Sequence, residues 1–156
     1  MNISGKKAVV FGGTSGIGLA TCHQLIAAGA EVGAVSRDPN KAGACLDGVE
    51  RAAVDARDSD AVSAFFEAEG PIDILISSAT GGSRAFGPFL KMDIDGFKSS
   101  FDKLWGYSNV VRYGTAQLPD DGCIVLVSGT PARDMQPGQV ALSAVGGAVE
   151  ALARAV

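Results

Sequence analysis

The sequence predicts an α/β fold, a doubly wound parallel sheet with helices on both faces, and three observations predict it. Five short apolar runs alternate along the chain with longer segments of helical periodicity. The apolar runs are mostly β-branched and lack polar alternation, as strands covered on both faces must be. A glycine cluster lies where the first apolar run meets the first helical segment, at the edge where such sheets bind ligands.

The elements follow in order. Lys7 to Phe11 reads as the first strand and 17–28 as the first helix, with Gly29 suited to its end because glycine enters the left-handed region without strain. Val32 to Val35 is the second strand, followed by a short helix over 40–46. Ala52 to Val54 is the third, and Asp58 with Ser59 caps a helix over 59–67 by accepting its unpaired N–H groups. Ile72 to Ile76 forms the fourth strand, and Asp93 caps one long helix over 94–113. Ile124 to Val127 is the fifth, and 139–156 the final helix. The two loops richest in Gly, Ser and Pro, 79–88 and 129–138, both follow strands, so both lie at the carboxyl edge of the sheet.

Composition narrows the function. The chain has 156 residues, the size of one domain, with 47% hydrophobic and 19% charged residues, which is a folded composition. A net charge of −4 and the absence of a basic run argue against nucleic acid as a partner. No apolar stretch approaches the ~18 residues of a membrane span, and Gly12-Gly13 ends the first apolar run before a signal-peptide core forms. Cys22, Cys45 and Cys123 are widely spaced, which suits reduced thiols in a cytoplasmic protein and no metal site.

Phe11-Gly12-Gly13-Thr14-Ser15-Gly16-Ile17-Gly18 has the spacing G-x-x-x-G-x-G between strand and helix. Glycines there permit a tight turn, bring backbone N–H groups against a pyrophosphate and let helix and strand pack closely, while the helix N-terminus adds positive potential. Dinucleotide binding is expected, with Gly12, Thr14, Ser15, Gly16, Ile17 and Gly18 forming the cradle. The end of the second strand, roughly twenty residues on, selects the cofactor: a carboxylate there would accept from a ribose 2′-OH. Here the residues are Ser36 and Arg37, and a guanidinium fork suits a 2′-phosphate, so NADP(H) is expected over NAD(H).

On these residues the chain resembles the short-chain dehydrogenase/reductase family over essentially its whole length. Gly12, Gly16 and Gly18 match the family's Thr-Gly-x-x-x-Gly-x-Gly, with Phe11 in place of its Thr. The resemblance implies a Rossmann-like sheet in the order 3-2-1-4-5, with Asp55 and Ala56 at the adenine. Ser77-Ser78-Ala79-Thr80 stands where the family has Asn-Asn-Ala-Gly, which implies Ser78 and Ala79 beside the cofactor. It also implies two further strands and a substrate loop beyond the residues present here.

The family's proton-transfer residues are a Tyr and a Lys four residues later. Aligning Pro137-Gly138-Gln139-Val140-Ala141-Leu142-Ser143-Ala144 with its Pro-Gly-x-x-x-Tyr-Ser-Ala puts Leu142 at the Tyr and Gly146 at the Lys, and neither transfers a proton. The chain is similar instead to a divergent branch with Lys-Phe/Leu-Trp-Gly on the preceding helix and Ser-Gly-x-x-x-Arg after the fifth strand. These match Lys103-Leu104-Trp105-Gly106 and Ser128-Gly129-Thr130-Pro131-Ala132-Arg133. The resemblance implies Lys103 as the substitute cation near the nicotinamide ribose, and Ser128 and Arg133 as carbonyl or anion contacts. One helical turn brings Tyr107 near Lys103. Trp105 is expected in the core, and His23, on the first helix, lies away from the carboxyl edge.

Two functions follow. The first is an NADP(H)-dependent oxidoreductase acting on a small carbonyl or alcohol substrate. The second is a catalytically silent NADP(H)-binding or redox-sensing module, which the missing Tyr and Lys favour. Small residues on the final helix, Ala144, Gly147, Ala148, Ala151 and Ala155, permit close helix pairing, and a homodimer or homotetramer is expected.

Overall fold

A computed structural model describes residues 2–46, 48–134 and 136–156; the side chains of Ala44 and Cys45 fall outside the described ones. Strands β1 (Lys7–Phe11), β2 (Glu31–Ser36), β3 (Glu50–Ala53), β4 (Ile74–Ser77) and β5 (Cys123–Leu126) form one sheet in the order β3-β2-β1-β4-β5. All neighbours run parallel, with Phe11 in register with Val35 on one side and Ser77 on the other. The strand order therefore reverses between β1 and β4, and a crevice opens at their carboxyl ends.

Side-chain alternation along β1 builds a core on each face. Ala8 and Val10 point toward Cys22 and Leu25 of helix α1 (Gly16–Ala27). Val9 and Phe11 point toward Val62 and Phe66 of α2 (Ser59–Glu69) and Val110 of α4 (Asp102–Gly114). Each such fully buried side chain contributes about 1.5–3 kcal/mol of hydrophobic stabilisation. Asp58 caps α2 through the N–H groups of Asp60 and Ala61, and Asp93 caps α3 (Ile94–Ser100) through that of Gly96. Gly29 closes α1 at φ 85°. Burial pushes the Cys22 thiol up to about 11, so it stays protonated.

Four expectations are corrected. The helix expected over 94–113 is two, α3 and α4, joined at Phe101, whose carbonyl accepts the N–H groups of Leu104 and Trp105 and so starts a new first turn. Ser100, just before the break, ties down the preceding loop by donating to Ser83 O and accepting from the Ala85 N–H. Trp105 is 62% exposed, not core: Gly106, Tyr107, Val110, Val111 and Gly114 form the buried stripe of α4, and Trp105 falls beside it. The short helix after β2 is a 3₁₀ segment, Pro39–Leu46, kinked at Gly43. Finally, β3 and β5 are edge strands that are not covered on both faces, and Val125 is 42% exposed.

Helix α5 (Val140–Ala155) packs against the loop after β5 and against α4. Among the described residues no helix is long and apolar enough to cross a membrane, and no group of three or more His, Cys, Asp or Glu side chains is placed to hold a metal ion.

Candidate active site

The glycine turn builds the floor of a cleft at the β1/β4 crevice. Gly12 adopts φ 81°, donates its N–H to Val35 O at 2.7 Å, and lies so close to the next strand that a Cβ would sit 2.7 Å from Ala79 N. A Cβ on Gly18 would collide with the Gly12 carbonyl and Ser78 Oγ. Ser78 Oγ in turn donates to Phe11 O at 3.0 Å, bridging the ends of β4 and β1. Buried Thr14 donates to Ser36 Oγ at 2.9 Å, tying the turn to the end of β2. Ser15, the N-cap of α1, makes no capping bond with its side chain, so the first N–H groups of α1 remain available to an anion.

The cleft encloses about 760 Å³ and runs along the carboxyl edge. At its β2–β3 end stand Arg37 and Lys41; toward β4 and α4 stand Arg84, Lys103 and Tyr107. Between them Arg57 pairs with Asp55 at 2.7 Å and Asp102 at 3.2 Å, clamping the loop after β3 to the start of α4. The Arg57 hydrogen bond holds the Asp55 carboxyl below its ordinary value, with further help from the charge of Arg37. Asn109 donates to the Ala56 and Arg57 carbonyls, and Gly106 leaves room for Ala56 against α4.

Lys103 is half-buried. Desolvation lowers its pKa below the ordinary value, and the charge of Arg84 lowers it further. Its ammonium lies 5.2 Å from the centre of the Tyr107 ring, a cation–π contact. Tyr107 itself is committed elsewhere: its hydroxyl donates to Val127 O at 3.0 Å, and burial pushes its pKa up. Its hydroxyl is thus engaged by the end of β5 and its ring by Lys103.

A second cavity of about 250 Å³ adjoins the cleft, sharing Thr80, Gly81, Arg84 and Lys103 with it and bounded beyond by Ser128, Pro131, Leu142, Val145 and Gly146. Ser128 Oγ donates to Gly146 O at 3.2 Å.

Residues 6–156 match the family profile of short chain dehydrogenases. The chain belongs to the short chain dehydrogenase family. It is 33% identical to an L-xylulose reductase of Mesocricetus auratus over 135 residues, 82% of this chain and 54% of that one. It is 31% identical to carbonyl reductase [NADPH] 2 of Sus scrofa over 163 residues, 100% of this chain and 66% of that one. This chain thus spans between about half and two thirds of these relatives' lengths. A small-chain dehydrogenase solved in complex with NADPH superposes with TM-score 0.80 at 29% identity, over 96% of this chain and 62% of that one. A Burkholderia cenocepacia short chain dehydrogenase in complex with NADP shares the fold at TM-score 0.89 and 24% identity, over 99% of this chain and 66% of that one.

In this family member every residue expected at the cofactor except Gly18 lines the cleft, and Gly18 packs directly beneath it. Lys103 lines both spaces and Ser128 the smaller one. Arg133 is not brought to either: its Nε donates to Glu150 at 3.1 Å and its side chain is 81% exposed. Lys41, Arg57, Arg84 and Asp102 also line the cleft, and the sequence reading did not single them out. Arg84 stands in a loop already marked by its glycines and serines, and Lys41 stands one turn past Arg37, so both had a positional signal; Arg57 and Asp102 had none, because only folding brings residues 45 apart together.

Proposed function

We propose that the chain forms the nucleotide-binding and proton-donating part of an NADP(H)-dependent oxidoreductase that acts on a small carbonyl or alcohol through a non-standard active site. The observation that carries this reading is a single cleft with a glycine cradle at its floor, Arg37 at one end, in no ion pair among the described residues, and half-buried Lys103 at the other.

The close approach at Gly12 and the free N–H groups of α1 fit a pyrophosphate, and Thr14, Ser15, Gly16 and Ile17 complete that cradle. Arg37 and Lys41, neither in an ion pair among the described residues, fit a 2′-phosphate beside Ser36. Asp55 and Ala56 form the adenine wall, and Ser78 and Ala79 the floor. When bound, the nicotinamide supplies or accepts the hydride. Lys103 Nζ holds the proton that a developing alkoxide takes, its lowered pKa bringing it nearer to neutral solution. The Ser128 hydroxyl orients the carbonyl by turning from Gly146 O toward the cavity.

Leu142 and Gly146 favour a second reading, an NADP(H)-binding module without turnover. Titrating NADPH and NADH against Trp105 fluorescence, then assaying a panel of aldehydes and ketones, separates the two. Tighter binding of NADPH with turnover of some carbonyl supports the enzyme; tight binding with no turnover leaves the module; no binding removes both. The reading includes a cytoplasmic setting, which buried, protonated Cys22 suits. It also includes a homodimer or homotetramer paired through α4 and α5, which would cover Trp105 and which light scattering tests.

A further inference from the structure

Resting on the reading of the cleft as the nucleotide site, we infer that the substrate carries an anionic group, a carboxylate or a phosphate, and that Arg84 holds this group at the mouth of the smaller cavity beside Lys103. Charge distribution points there. The cavity's described lining contains two cations, Arg84 and Lys103, and no carboxylate. Asp102, which lines the adjoining cleft, is engaged by Arg57 at 3.2 Å. Neither Arg84 nor Lys103 meets an Asp or Glu among the described residues.

Chemistry agrees with the placement. An arginine cannot release its proton, so Arg84 is a fixed positive charge, and its planar fork of donors matches carboxylate and phosphate oxygens. Ser128, Thr80 and Ser83 add hydroxyls around the same space, while Leu142, Val145 and Pro131 give it an apolar wall suited to a short carbon skeleton. Two like charges facing a partly apolar cavity repel, and an anion between them relieves that repulsion. The same anion would hold Lys103 protonated against the desolvation and the Arg84 charge that both oppose it. Substrate charge and proton donor are thereby coupled: a neutral carbonyl compound would meet a lysine less fully charged.

Binding of matched pairs tests this without requiring turnover. Pyruvate against methyl pyruvate, acetoacetate against methyl acetoacetate, and dihydroxyacetone phosphate against dihydroxyacetone are titrated calorimetrically into the full chain, with and without oxidised NADP. At low salt at least one anion should bind about tenfold or more tightly than its neutral partner. That contrast should fall to within about twofold in Arg84→Gln, return in part in Arg84→Lys, and shrink in about 0.5 M salt, where screening acts within a few ångströms. Preference among the three pairs tells carboxylate from phosphate. The inference is overturned if no anion exceeds its neutral partner, if the contrast survives in Arg84→Gln, or if that variant weakens NADPH itself, which would assign Arg84 to the cofactor. Arg84 is exposed, so its variants keep the fold. Anion preference with no nucleotide binding would instead sink the oxidoreductase reading and leave the anion site standing.

Discussion

Ser128 Oγ reaches the carbonyl oxygen of Gly146 at 3.2 Å, so the loop after β5 rests directly on the backbone of α5. A Cβ at position 146 would lie 2.8 Å from the Ala132 Cβ, closer than side chains pack. The position that the family resemblance aligns with a lysine is therefore tightly enclosed by neighbouring chain.

Gly146→Ala should consequently destabilise the fold, by about 1–3 kcal/mol for overpacking less up to about 1 kcal/mol of gained helix propensity. Gly147 is the control, because nothing lies within 4 Å of a Cβ there, and Gly147→Ala should be neutral or stabilising. The urea midpoint should fall in Gly146→Ala and hold or rise in Gly147→Ala, and Ala132→Gly should recover part of the Gly146→Ala loss. Leu142→Tyr with Gly146→Lys should lower stability without raising carbonyl turnover.

The five strands were legible in the sequence because each depends on a local pattern; their order was implied by the family resemblance, and the residues expected at the cofactor line one cleft, with Gly18 beneath it. β1 declares itself by five consecutive residues and the cradle by the eight that follow from Phe11. The break at Phe101 was not legible, since the apolar spacing runs on through it, and Ser100 beside it bonds a loop 17 residues away in the chain. Trp105 was misread because an aromatic on an amphipathic helix usually belongs to its buried stripe, and here glycine at 106 occupies the stripe against Ala56. The charged lining was half-hidden for a related reason: Arg57 and Asp102 acquire meaning only from their ion pair, and Arg133 loses its apparent place in the site through Glu150.

On the proposed reading of the cleft, Arg37 selects the nucleotide. Arg37→Asp removes a cation and adds an anion where a 2′-phosphate would lie, so NADPH affinity should fall by about tenfold to a hundredfold, the size of a lost charge-assisted hydrogen bond. NADH should be affected far less, and Lys41→Gln should have the smaller effect in the same direction. Fluorescence titration of both nucleotides checks this; equal losses would remove the 2′-phosphate assignment.

The clamp made by Arg57 predicts an acid sensitivity. Asp55 has a folded pKa below its unfolded value of about 3.9, so its contribution is present above that value and is lost as pH falls through the folded one. Both side chains are about one third exposed, at 37% for Arg57 and 33% for Asp55, so solvent screening keeps the contribution to about 1 kcal/mol or less. Asp55→Asn should be less stable than the parent at neutral pH, and the gap should close in acid. Denaturant midpoints from pH 7 down to about 2.5 read the effect directly.

Lys103 predicts the opposite dependence. Burial disfavours its ammonium, so the folded pKa lies below 10.5, and the cost of holding the charge is full at neutral pH, begins to fall as pH rises through the folded value and is gone above the unfolded value of 10.5. Lys103→Met should therefore stabilise the fold near neutrality, with the gain fading toward alkaline pH as the parent lysine becomes neutral. Carbonyl reduction should behave in reverse, falling on the alkaline side with a midpoint below 10.5 as the proton donor empties. In Lys103→Met that alkaline limb should vanish together with about a hundredfold or more of kcat, while NADPH affinity changes little. A variant that gains stability and loses turnover would mark Lys103 as the proton donor of this site; one that keeps turnover and its alkaline limb would show that the proton comes from another group.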